Sequence, residues 1–498
     1  MRQSGSNSEA APSHPNCDVL QANQQPAEQP NPAGCALHRD DPVIARNNKA
    51  RLRKRRRAQA VLVSFFLPFC SLIACAELPA LLDPNRESSD PVQLANGEQW
   101  APPIGCTVPW GIAESAQSDA NVKRIDDFPG DADWVNVSGN GAADNPLVII
   151  SDRVVTKMVK IHEGSSYVIL DGLTIRPEPS RDFGWAGADV LIEGGTHHIA
   201  IRNCTLLSTS DAEVTQALTT SDPDITQPPE TTTEVTAEPT LRQRTLLTTQ
   251  PTRGRYVEYV TVFKCTAGPL GDWTQNEGTD YGGLSFPAGT KHVRVFDCTI
   301  SGIGGDAIGF PNETMLAARG NTEFPTTDIQ IGRCVLERCK ENLVDCKLVQ
   351  DMIVSECTLS LTNAYSTSSR GDAFSITGAS QAILDEHGGV LPWMSPNRVW
   401  LLFNEIREVS RGAIFATLET VPSDMKGKLY SVGNAWTNIR AEGRGSGSAL
   451  IAHNGNAVFS FGDVFTNVDI PTTAVTIEND SPQNAFREAH GRELERLP

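Results

Sequence analysis

Three features of the sequence predict an all-β fold, a right-handed parallel β-helix solenoid of about 9–11 coils. The stretches RNCTLL, FKCTAG, FDCTIS, GRCVLE and SECTLS set Cys204, Cys265, Cys298, Cys334 and Cys357 in one recurring context. The last four lie 33, 36 and 23 residues apart, so a constant core is joined by loops of different length. Each unit opens with alternating apolar, β-branched residues (HVRVFDCTI, DIQIGRCVL, DMIVSECTL, RVWLLFNEI), the period of a half-buried strand. A second short strand follows a turn: GGDAIGF, ENLVDCK, RGDAFSIT, RGAIFATL and GSALIAH. Units wound in one sense stack like positions about 4.8 Å apart, and parallel crossovers are right-handed. Helical periodicity is almost absent.

Along the chain, residues 1–57 form a polar and basic extension ending in RNNKARLRKRRR. The apolar run 58–75 that follows has the layout of a signal peptide, too short and too Pro-interrupted to span a membrane comfortably. Its end, Leu72-Ile73-Ala74-Cys75, resembles a bacterial lipobox, which implies lipidation of Cys75. The long polar stretch before the basic segment departs from that pattern; a wrongly assigned start codon or an uncleaved signal anchor accounts for it. In both readings the body is exported to the cell envelope or beyond. Residues 76–105 are expected to be a linker, 106–480 the β-helix and 481–498 a tail. NPLVIISDRVV, SSYVILDGLTI and HHIAIRNCTLL read as the first coils, and GNAVFSFGDVFTNV and TTAVTIEND as the last. The Thr-, Pro- and Glu-rich run in 208–254 reads as a disordered insertion between coils.

Charge narrows the function classes. Residues 1–57 carry 10 Lys/Arg against 5 Asp/Glu, leaving 32 basic and 55 acidic residues, a net charge of −23, for the rest. Such a body repels nucleic acid, but tolerates calcium or a polyanionic sugar in a locally basic groove. The chain contains 12 Cys and no C-x-x-C pair, so zinc and redox motifs have no support. The five recurrent cysteines suit a stack of small buried side chains, with an exported disulfide framework as the alternative. Asn404 and Asn434 fall in the same column, where buried amides can ladder from coil to coil.

Aligning the second strands on their first apolar residue points Ile308 and Phe310, Val344 and Cys346, Phe374 and Ile376, and Ile414 and Ala416 inward. Gly309, Asp345, Ser375 and Phe415 then form one external row, and Pro311, Lys347, Thr377 and Thr417 a second. Asp345 and Lys347 share an open face, flanked by small residues. The adjacent carboxylate raises the pKa of a lysine, against a role as base, unless a cation occupies Asp345. Asp306, Asn342 and Asp372 begin their strands after tight turns, where Asx residues also serve as plain backbone caps.

The coil pattern, with DADWVNVSGNGAADNPLVII followed by SSYVILDGLTI, resembles the pectate-lyase-like parallel β-helix superfamily over residues 125–480. Within it the chain is similar to polysaccharide lyases such as chondroitinase B, alginate lyases and certain pectate lyases. That resemblance implies an acidic polysaccharide as partner and β-elimination next to a uronate carboxylate. It implies Lys347 as base, Arg411 as the contact to the substrate carboxylate, and Asp306, Asp345 and Asp372 as ligands of calcium. A monomer is expected, and a non-catalytic surface scaffold or adhesin is the alternative. GGDAIGF resembles the paired aspartates of polygalacturonases only faintly, since Gly305 replaces the first. His197 and His198, adjacent on a strand, are expected on opposite faces. His387 and Trp393 lie in a loop that can overhang the groove.

Overall fold

The computed structural model describes residues 88–94, 96–113, 121–177, 187–208, 245–252, 254–276, 281–311, 325–367, 370–378, 395–417, 419, 421–478 and 482–494. Contacts divide the chain after Leu81, and every described residue belongs to the second unit. The expected extension, the signal segment with Cys75, the run 209–244, and His387 and Trp393 lie outside the described residues.

The described chain winds as a parallel β-helix. Sheet I has twelve strands, sheet II nine and sheet III eleven, each stacked in chain order with parallel neighbours. One representative coil runs through Thr290–Phe296 in sheet I, Thr299–Ile303 in sheet II and Gly305–Phe310 in sheet III. Its alternate side chains, Val293 and Val295, Ile300, and Ile308 and Phe310, point into a single apolar core that continues through every coil. This continuity follows from the parallel register, which sets each inward residue on its counterpart in the next coil.

Non-glycine residues in the left-handed backbone region recur in every coil. Tyr167, His198, Tyr259, His292, Asp328, Asp351 and Arg398 form one column near the start of the sheet I strands, with φ between 53° and 56°, and Asn203, Lys264, Asp297, Arg333, Glu356 and Phe403 form another at the corner after them. Non-glycine residues pay steric strain there, so the coil repeat over-determines the conformation. The next column holds the recurrent cysteines. All eight described cysteines are free and buried, so they stack without disulfides. Asn404 and Asn434 continue the column as expected: Asn404 N donates to Asn434 Oδ1 at 2.8 Å, and Cys357 N donates to Asn404 Oδ1 at 2.9 Å. Asp463 extends it by one more coil, accepting from Asn434 N at 2.8 Å.

Three boundaries differ from expectation. Residues 245–250, assigned by composition to the insertion, form a sheet III strand between Ala188–Glu193 and Tyr281–Ser285, because their β-branched and leucine side chains fill the core. Residues 88–105 are packed and not a linker: Trp100 lies against Phe263 and Phe296 on the outer face of sheet I. The tail carries a helix, Gln483–His490, whose Phe486 packs on Trp400 of the same face. Among the described residues no helix is long and apolar enough to cross a membrane.

Candidate functional site

Sheet I is covered by the two terminal segments, whereas the outer face of sheet III carries the residues singled out by the strand pattern. The coil of Val335–Cys339 and Val344–Lys347 has short connections at both corners, Lys340–Leu343 and Leu348–Val349. The connections after the sheet III strands on either side span 311–326 and 378–396. On this face Gly309 stands beside Asp345, Asp345 beside Ser375 and Lys347 beside Thr377, as strand alternation predicts. Among the described residues no atom lies within 4 Å of the position a Cβ on Gly309 would take, but Asp345 beside it is buried and not on the open face expected of it.

The fourth strand departs from the expected rows. Ile414, not Phe415, stands beside Ser375, while Phe415 enters the core. Register is set at the strand start, where Arg411 pairs with Asp372, one residue away from the alignment on apolar residues. Such a slip exchanges the two faces of the strand.

Arg411 does not project toward a substrate. It is buried, and its Nε and Nη2 each donate to an Asp372 carboxylate oxygen at 2.5 Å. Burial raises Asp372 above the usual carboxylate range, and the guanidinium opposes that rise. Asp345 is 6% exposed, and its Oδ2 lies 3.3 Å from Lys347 Nζ, whose side chain is 39% exposed. Burial raises Asp345, while Lys347 and a hydrogen bond from Ser375 pull it back. Asp306 accepts through Oδ1 from Asn342 N at 3.0 Å and Nδ2 at 2.9 Å. Its pKa is pushed well above the carboxylate range by burial first, then by the charges of Asp345 and Glu341.

The three carboxylates expected to hold calcium do not fit it. Asp372 is saturated by a guanidinium, Asp345 is paired with Lys347, and Asp306 accepts two amide protons. Among the described residues no group of three His, Cys, Asp or Glu side chains could hold a metal ion.

Two further features escape strand-level reading. Asn363 Nδ2 faces the carbonyl oxygens of Trp273, Thr274 and Gln275 at 3.3, 3.3 and 3.0 Å, pinning a loop that starts three coils earlier to the corner after Thr358–Thr362. Only long-range contact reveals this clamp, since nothing in LTNAYS announces it. His197 and His198 come together, with Nδ1 atoms 2.9 Å apart. The left-handed conformation of His198 breaks the alternation that would have sent the two rings to opposite faces. His198 stacks between Tyr167 and Tyr259 at centroid distances of 4.5 and 4.3 Å, and burial lowers its pKa to about 4.

No protein-family model and no curated protein matches the chain. Among solved structures it is similar to a full-length tailspike protein 2 from Escherichia coli O157:H7 bacteriophage CAB120, at 10% identity over 71% of this chain, with a TM-score of 0.36. The chain spans 39% of that tailspike's length. An alginate lyase from Paenibacillus matches at 8% identity over 70% of this chain and 100% of the lyase, with a TM-score of 0.37. A pectin methylesterase from Yersinia enterocolitica matches at 9% identity over 74% of this chain and 96% of the esterase, with a TM-score of 0.26.

Proposed function

We propose that the outer face of sheet III binds an acidic polysaccharide and cleaves it by β-elimination, on an exported protein held at the envelope through Cys75. The observation that carries this reading is the half-exposed Lys347, paired to the nearly buried Asp345 beside a bare Gly309. The roles differ from those the resemblance implies. A lysine bridged to a carboxylate keeps its proton, so Lys347 meets the uronate carboxylate of the substrate and not its carbon-bound proton. Drawing Lys347 away strips Asp345 of its counter-charge in a buried setting, which raises its basicity. Asp345 then takes the proton from the carbon beside the carboxylate, and the electron pair left behind forms the new double bond. Asp306, whose burial makes it hold its proton more tightly than an exposed carboxyl, gives that proton to the departing glycosidic oxygen. No step is drawn through calcium, because the carboxylates do not fit it.

The test is product absorbance from the new double bond over alginate, pectate and glycosaminoglycans, with reducing ends counted in parallel. Absorbance that rises with wild type, disappears in Asp345→Asn and survives calcium chelation is the expected result. Reducing ends without absorbance would replace elimination by hydrolysis, and neither signal on any sugar would reject the enzymatic reading. Retention on immobilised polysaccharide without product would favour the scaffold reading, which the internally closed Asp372–Arg411 pair also suits.

A further inference from the structure

Two histidines lie in the seam between sheet I and its covers, one under each terminal segment. His198, near the start of His197–Arg202, is 4% exposed and stacked between Tyr167 and Tyr259. The N-terminal segment closes over it: Trp110 stands edge-on to His198 and to Tyr167, at centroid distances of 5.5 and 5.6 Å. Thr261 Oγ1 holds that segment in place by donating to the Trp110 carbonyl at 2.9 Å, and Arg202 Nη1 by donating to the Gly111 carbonyl at 2.7 Å. His490 ends the helix Gln483–His490 and packs on Phe486 of its own helix and Trp400 of sheet I, at 4.5 and 6.0 Å. The two covers are joined, because Arg492 Nη1 donates to the Cys106 carbonyl at 3.1 Å.

Neither imidazole is placed to take a second proton. Nε2 of each is buried with no hydrogen-bond partner among the described residues. A charged ring donates from both nitrogens, so protonation would leave a buried donor unsatisfied and a buried charge unpaired. Tyr167, Tyr259 and Trp110, which face His198, are uncharged at neutral pH. His197, with its Nδ1 2.9 Å from that of His198, and His292, stacked 4.2 Å from Tyr259, both oppose a charge on it. Around His490, Arg492 and Arg398 oppose the charge, while Asp351 and Asp328 favour it. Those two carboxylates are already neutralised, Asp351 by Arg398 and Asp328 by Arg294. Burial is the largest influence on both rings and holds each at about 4.

We infer that the two terminal segments are an acid-released cover over the outer face of sheet I, latched by His198 and His490. Each imidazole binds its proton less tightly under the cover than when released, where it titrates near its ordinary value of about 6.5. The cover is therefore held fully above about pH 6.5, and its hold is lost as pH falls toward 4, the opening equilibrium rising about tenfold per pH unit for each imidazole. Asp306, Asp345 and Asp372 act in the opposite sense, since their raised values favour the folded state in acid. Acid thus loosens the cover before the coils. Lifting it bares an apolar file that includes Phe263, Phe296, Ile353, Trp400 and Leu402.

Hydrogen exchange of the full chain, read by mass spectrometry at pH 7, 6 and 5 and corrected for intrinsic exchange rates, tests this with His198→Phe and His490→Leu. Wild-type protection in 98–111 and 483–494 should fall by about tenfold or more per pH unit below 6.5, while the sheet I strand Thr290–Phe296 keeps its protection. His198→Phe should flatten the profile of 98–111, and His490→Leu that of 483–494. Protection of the covers that does not change with pH overturns the inference, as does a pH response that survives both substitutions. Loss of protection in the strand at the same pH also overturns it, because the acid response would then be general unfolding. If a variant does not fold, the wild-type contrast between covers and strand decides alone.

Discussion

Asp306, Asp345 and Asp372 share burial and differ in what neutralises them. All three are raised above the usual carboxylate range, so each binds its proton more tightly in the folded state than in the unfolded one. Such a group favours folding below the ordinary carboxylate pKa, and that contribution is lost as pH rises through the folded value. Asp306, with amide partners on one oxygen and no cation of its own, bears most of this cost at neutral pH. Asp306→Asn keeps the acceptor for Asn342. It is expected to stabilise the protein near pH 8 and to be neutral near about pH 4, each pKa unit of elevation being worth about 1.4 kcal/mol in urea melts. If the variant loses stability at both pH values, burial does not raise the Asp306 carboxyl. Arg411→Ala strands a buried carboxylate and should cost about 3–5 kcal/mol, most of it recovered in Arg411→Met/Asp372→Leu. Gly309→Phe should leave the melting temperature nearly unchanged, because no atom of the described residues lies within 4 Å of its Cβ position, yet abolish polysaccharide turnover or binding. Unchanged turnover would move the site off this face. That Asp345 and Lys347 share a face was legible in the sequence because strand alternation alone places them, but the burial of Asp345 was not. The Arg411–Asp372 closure and the Ile414/Phe415 exchange were not, because register is fixed by a contact between coils.

At the scale of the element, the corner column shows how different residues perform one task. Cys334 N donates to Cys357 Sγ at 3.4 Å, and Cys357 N donates to Asn404 Oδ1 at 2.9 Å. The thiol and the amide thus occupy the same acceptor position for the backbone of the preceding coil. This explains why Cys, Asn and Asp succeed one another there, a substitution pattern the repeat made visible although Asp463 was overlooked. Asn404→Leu removes the acceptor beneath a buried N–H and should cost about 1–3 kcal/mol. Asn404→Cys should cost less, and equal losses would mean the thiol does not serve as an acceptor. Burial raises the Cys346 thiol well above its ordinary value and pushes Cys106 up to about 12. Alkylation followed by peptide mass spectrometry should therefore leave Cys106, Cys204, Cys265, Cys298, Cys334, Cys339, Cys346 and Cys357 unmodified until the protein unfolds. The paired histidines mark the limit of element-level reading: a period of two holds only while the backbone stays extended, and the left-handed residue His198 near the start of its strand interrupts it.

At the scale of the whole molecule, the terminal segments alter how a solenoid unfolds. Coils that touch only their neighbours unfold piecewise, since stability is a sum of local and nearest-neighbour contributions. Residues 98–111 cut across that order. Lys264 bonds Glu98, Arg333 donates to the Ala101 carbonyl, Thr107 N donates to Gln330, and Arg202 donates to the Gly111 carbonyl. These ties bind strands from Arg202 to Arg333 to one strap, and Arg492 donates to the Cys106 carbonyl, fastening the C-terminal tail to the same strap. Trp100 is its main anchor, buried at 4% exposure between two phenylalanines with Nε1 donating to Asp297 at 2.5 Å. Composition could not reveal this, because 88–105 reads as a polar, Pro-containing connection whose few apolar residues have no period of their own. Trp100→Ala is expected to cost about 3–5 kcal/mol. More tellingly, it should broaden or split a single denaturant transition, with a lower m-value, as the coils are released from their common tie. A loss of stability with the transition still sharp would show that core stacking alone makes the coils cooperative, and that the strap is only a cover.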